Sequence, residues 1–136
     1  VATCWTDNTL QISADEQVGL MKKLYFNQLP FTDRSQRIVR SLMLRSTEGN
    51  RKLYYKTGWG TTATTNVLWV VGFAEYEQKI KEQKGSMNKS DERNYVYFFA
   101  QNFEVPRNDT SKNWADIRIK ILGNLMDDFA TKNQSK

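Results

Sequence analysis

A chain of 136 residues, 39% hydrophobic and 12% aromatic, suffices for one domain with a real core and is too apolar for disorder. It holds no histidine and one cysteine, Cys4, which excludes Ser-His-Asp and Cys-His catalysis, His-ligated metals, internal disulfides and multi-thiolate sites. The net charge of +5 is scattered in both signs, with one dense stretch at 79–89 that reads as a solvated loop, so no nucleic-acid partner is expected.

Ser13-Ala14-Asp15-Glu16 is a capping box, its serine placed to accept from the Glu16 N–H and its glutamate able to reach back. Val18, Leu20, Met21, Leu24 and Tyr25 continue it as an amphipathic helix, which Pro30 is expected to stop. Thr32 or Asp33 caps a second helix carrying Ile38, Val39, Leu42 and Met43. Glu48-Gly49-Asn50 is a turn. Strands are predicted at 52–57, 67–74 and 95–100, the last two joined by a polar loop over 78–92. Their near-continuous apolarity suggests central strands covered on both faces. Trp114, Ile117, Ile121, Leu125 and Phe129 follow helical spacing and close the chain with an amphipathic helix. The expected fold is α+β: a helical part over 1–48, then over 49–136 a three-stranded antiparallel sheet crossed by the C-terminal helix. With a mean hydropathy of −0.68, no membrane span is expected.

Lys56-Thr57-Gly58, followed by Trp59-Gly60, ends the first predicted strand. If that strand is an edge, it offers a cation, a hydroxyl and a stretch of open backbone together. Those groups suit a carboxylate-bearing, amide-like ligand lying along the strand, and the tripeptide is known from serine β-lactamases and penicillin-binding proteins. Alone it reads more readily as an ordinary exposed strand end.

The surrounding segments carry more. Leu10-Gln11-Ile12-Ser13 running into Met21-Lys22-Lys23-Leu24-Tyr25, then Leu29-Pro30-Phe31 with Ile38-Val39, resemble two successive helices of the class D (oxacillinase-type) serine β-lactamases. Lys56-Thr57-Gly58-Trp59, Trp69-Val70-Val71-Gly72-Phe73-Ala74-Glu75 and Val96-Tyr97-Phe98-Phe99-Ala100 resemble three successive strands of the same β-lactamase/transpeptidase-like fold. The resemblance implies that Lys56 and Thr57 neutralise and hydrogen-bond a substrate carboxylate, with Gly58 beside them and Lys56 aiding proton traffic. It implies that the Trp59 N–H is one arm of an oxyanion hole. It further implies that Arg118, within Ile117-Arg118-Ile119, clamps the carboxylate, although Trp114 competes for that position. Trp5 resembles the tryptophan that steadies a carboxylated lysine.

That lysine belongs with the serine of a Ser-x-x-Lys motif ahead of the Lys-Thr-Gly strand, and nothing before Lys56 fits. Ser86-Met87-Asn88-Lys89 is a literal match in the wrong place, and Ser111-Lys112-Asn113 is similarly misplaced. The expectation is therefore the C-terminal portion of a β-lactam hydrolase, inactive by itself and needing its N-terminal half or a second copy. The chain does not begin with methionine, which fits that expectation. The resemblance implies a β-lactam antibiotic as ligand, no metal or other cofactor, and a periplasmic or secreted bacterial location. A non-hydrolytic β-lactam sensor or penicillin-binding module is the alternative.

Overall fold

The computed structural model describes residues 12–79 and 92–134. The elements are α1 (Ala14–Tyr25), α2 (Asp33–Met43), β1 (Leu44–Glu48), β2 (Arg51–Thr61), β3 (Thr65–Lys79), β4 (Glu92–Pro106) and α3 (Trp114–Gln134). The strands form one antiparallel sheet in the order β1-β2-β3-β4, and the α+β class expected from the sequence holds. The chain divides into two compact units, one of them made of Val18–Tyr55 with Gly72–Phe99. The other comprises Lys56–Val71, Ala100–Lys136 and the residues up to Gln17.

In the first unit α1 ends in a Schellman motif. Asn27 adopts φ 55°, the Gln28 N–H reaches the Lys23 carbonyl at 2.8 Å, and the Asn27 N–H reaches that of Leu24 at 3.4 Å. Thus a left-handed asparagine stops the helix ahead of Pro30, the residue expected to do so. Thr32, not Asp33, caps α2, its hydroxyl accepting from the Ser35 N–H at 3.2 Å. Two α2 side chains hold the connection: buried Gln36 bonds the backbone of Leu29 and Phe31, and Arg40 donates to the Leu24 carbonyl at 2.7 Å. Met21, Leu24, Met43, Leu53, Phe73 and Ala74 are buried here. The Phe73 ring stacks on Tyr54 at 4.6 Å and meets Tyr25 edge-on at 5.0 Å.

The second unit buries Leu68 and Val70 of β3, Val105 of β4, and Leu122 and Met126 of α3. Its β2–β3 turn is tied by threonines, the Thr62 N–H on the Thr65 carbonyl at 2.8 Å and the Thr65 N–H on the Thr62 hydroxyl at 2.9 Å. Asn113 caps α3, accepting from the Asp116 N–H at 3.3 Å and donating to the Asp116 carboxylate at 2.6 Å.

Three sequence expectations are corrected. Residues 44–48, assigned to the helical part, form the strand β1, so the sheet has four strands among the described residues. Leu-Arg-Ser-Thr-Glu carries one apolar residue and no alternation, and its strand state comes from pairing with β2. The strand with Lys56 is not an edge, since β2 lies between β1 and β3. However, pairing with β1 ends at Leu44–Tyr54, so Lys56 and its successors extend beyond it. Lastly, β4 is the edge of the described sheet rather than a central strand, and its side chains over 96–101 are only half-buried.

Candidate active site

Strand β2 sets out Lys56, Thr57, Gly58 and Trp59 consecutively, so their side chains alternate between the two faces of the sheet. Lys56 is exposed, and its Nζ donates to the Thr57 carbonyl at 2.8 Å. Gly58 lies close under β3: a Cβ there would sit 3.3 Å from the Trp69 Cβ, tighter than ordinary contact. Trp59 is half exposed, with 52% of its surface open.

Helix α3 brings Arg118 to this strand across sixty residues of sequence. Its Nη1 donates to the Gly58 carbonyl at 2.9 Å, and its guanidinium carbon stands 5.9 Å from the Trp59 ring centroid. Two successive strand carbonyls, those of Thr57 and Gly58, are therefore each met by a cation. A guanidinium so placed keeps further N–H groups in a planar fork, the geometry that suits a carboxylate.

Trp114 is engaged elsewhere, with β4 and the loop before α3. It packs edge-on against Phe103 at 6.3 Å, and its indole N–H donates to the Asp109 carbonyl at 3.2 Å. Asp109 in turn accepts from the Ser111 N–H at 2.9 Å. Those bonds, led by the Ser111 hydroxyl, hold its carboxyl below the usual 3.8. Ser111 thus shapes the approach to α3.

One residue at the site has no place in the sequence reading. Gln101 of β4 donates its amide Nε2 to the Arg118 carbonyl at 3.2 Å. Its only sequence signal is a polar side chain ending the apolar run Phe98-Phe99-Ala100. Trp5 and the Ser86-Met87-Asn88-Lys89 segment lie outside the described residues. Among the described residues no group of three or more His, Cys, Asp or Glu side chains could hold a metal ion. Nor is any helix there long and apolar enough to cross a membrane.

No family model matches the chain. Beta-lactamase OXA-48 of Klebsiella pneumoniae is 34% identical over 109 residues, 80% of this chain and 35% of that protein. Beta-lactamase OXA-20 of Pseudomonas aeruginosa is 42% identical over 72 residues, 53% of this chain and 26% of that protein. The chain thus spans well under half the length of these curated relatives. Among solved structures, the class D β-lactamase YbXI from Nostoc superposes with a TM-score of 0.65 at 29% identity, covering 89% of this chain and 42% of that one. A class D β-lactamase from Sebaldella termitidis reaches a TM-score of 0.68 over 94% of this chain and 45% of that one, and at 22% identity it speaks for the fold alone.

Proposed function

The chain belongs to the class D β-lactamase family, matching its C-terminal part, and on that premise we propose that it forms the carboxylate-binding wall of a β-lactam-hydrolysing cleft. The observation that carries the reading is the Arg118–Gly58 hydrogen bond at 2.9 Å, which joins the helix arginine to the Lys-Thr-Gly strand. In this reading Arg118, Lys56 and Thr57 bind the carboxylate of a β-lactam. Gly58 lets the ligand's amide approach the strand without a side chain between them. The Trp59 N–H donates to the lactam oxygen and stabilises the negative charge that develops there as the carbon becomes tetrahedral.

The covalent step needs a serine and a general base. In the reading proposed here these come from the part of the longer relatives that this chain does not match, with Trp5 steadying the carboxylated lysine. The complete protein is then a hydrolase working in the periplasm or outside the cell, and a chain without the serine–lysine pair binds without turnover.

The test is a pair of measurements on the purified chain. Benzylpenicillin binding, followed calorimetrically, is expected to weaken about tenfold in Arg118→Ala, as a charged hydrogen-bond donor is lost. Nitrocefin should remain unhydrolysed. Unchanged affinity in Arg118→Ala sinks the carboxylate assignment, and nitrocefin turnover that disappears in Ser86→Ala sinks the assignment of the nucleophile elsewhere.

A further inference from the structure

Gln101 is a polar side chain at the end of an apolar stretch of β4, and it bonds the backbone of the very residue whose side chain reaches Gly58. Its donation to the Arg118 carbonyl fixes the direction of the amide, because the reversed amide would set two oxygens against each other. The Gln101 Oε1 is then an acceptor buried without a protein partner among the described residues. Arg118 Nε is a donor in the same condition. Buried polar groups left unmatched are costly, and here one is an acceptor and the other a donor on two residues already joined.

We propose that Gln101 is the positioning residue of Arg118: its Oε1 takes up the Arg118 Nε–H through one bridging water and so fixes the guanidinium plane. The proposal rests on the carboxylate-binding reading of Arg118 and adds to it the group that orients the fork. The guanidinium is then held at Nη1 by Gly58, on its face by Trp59 and at Nε by Gln101, leaving its remaining N–H groups to the ligand. A water between them satisfies both buried groups at little loss against a direct bond.

The experiment uses the full chain, isotopically labelled at the arginine side chains, with hydrogen exchange of the Arg118 Nε–H read by NMR. Benzylpenicillin and its uncharged methyl ester are the two probes. In Gln101→Met the Nε–H is expected to exchange at least about tenfold faster, and benzylpenicillin affinity to fall about tenfold, while ester affinity stays within about twofold. Gln101→Glu keeps the shape and the Oε1 acceptor, adds a charge, and gives up the donor to the Arg118 carbonyl. It should slow exchange below the wild-type rate, yet still weaken benzylpenicillin, because its carboxylate competes for the same cation.

Exchange unchanged in Gln101→Met overturns the proposal, as does an equal loss of acid and ester, which would mark a merely structural residue. Should Gln101→Met fail to fold, Gln101→Glu decides by the sign of its exchange change. Benzylpenicillin affinity that ignores Arg118→Ala defeats the carboxylate reading alone, since the exchange data report on Gln101 without any ligand.

Discussion

The Tyr25 hydroxyl donates to the Glu75 carboxylate at 3.0 Å, tying α1 to β3 across fifty residues of sequence. Partial burial, and then that carboxylate, pushes the Tyr25 phenol up to about 12. Tyr54 is pushed up to about 12 as well, again by burial first and the Glu75 charge second. Both folded values lie above the ordinary 10, so their contribution to stability is complete below pH 10 and is lost as pH rises toward 12. Near-ultraviolet absorbance should show two tyrosines ionising late, one fewer in Tyr25→Phe. Two ordinary titrations near pH 10 at both positions would refute the assignment.

Gly72 is required by packing between strands. A Cβ on it would collide with the Tyr54 carbonyl oxygen and lie 2.8 Å from the Tyr55 Cα. Backbone atoms cannot swing aside, so Gly72→Ala must part the two strands and should cost roughly 1–3 kcal/mol in urea unfolding. Gly123, inside α3 with nothing within 4 Å of an added Cβ, is the control. Gly123→Ala should stabilise by about 0.5–1 kcal/mol. The same loss at both positions would contradict the packing argument.

Gln36, 2% exposed, spends its whole amide on the α1–α2 connection. Its oxygen accepts from the Leu29 N–H at 3.2 Å, and its nitrogen donates to the Phe31 carbonyl at 2.8 Å. Gln36→Leu keeps the volume but abandons these groups in a buried place, which should cost about 1–3 kcal/mol. A loss below about half a kcal/mol would mean that the loop backbone finds other partners.

The capping box of α1 gives an acid-side prediction. The Ser13 N–H donates to the Glu16 carboxylate at 2.7 Å, and the Glu16 N–H to the Ser13 hydroxyl at 3.2 Å. The first of these bonds, seconded by the Ser13 hydroxyl, holds the Glu16 carboxyl below its usual 4.5. Its contribution is therefore present above pH 4.5 and fades as pH falls through the lowered value. Ser13→Ala should cost about 1 kcal/mol at neutral pH and move the Glu16 titration, followed by NMR, only part of the way to the ordinary position, because the backbone N–H remains.

Ser13 and Glu16 show what a sequence can carry: both partners of the motif lie within four residues, so spacing alone reveals the bonds. Asn27 shows the limit. Asparagine is common in loops, and only the backbone twist it adopts distinguishes it from Pro30 as the helix stop. Strand β1 was illegible for a different reason, because its stabilising partner, not its own pattern, makes it a strand. At the site, Lys56-Thr57-Gly58-Trp59 was visible as a contiguous motif. That Arg118 meets the Gly58 carbonyl while Trp114 packs on Phe103 needed the placement of α3. Gln101 could not be found at all, since its meaning comes from α3 lying against β4.

The unbroken order β1-β2-β3-β4 makes every strand's sheet neighbour its neighbour in the chain. The β2–β3 ladder closes through the short Thr62–Thr65 turn, so its loop entropy is small and it can assemble early. The Tyr25–Glu75 contact spans fifty residues and must wait for that ladder. Lesions in the threonine turn are thus expected to slow folding, whereas Tyr25→Phe should chiefly hasten unfolding.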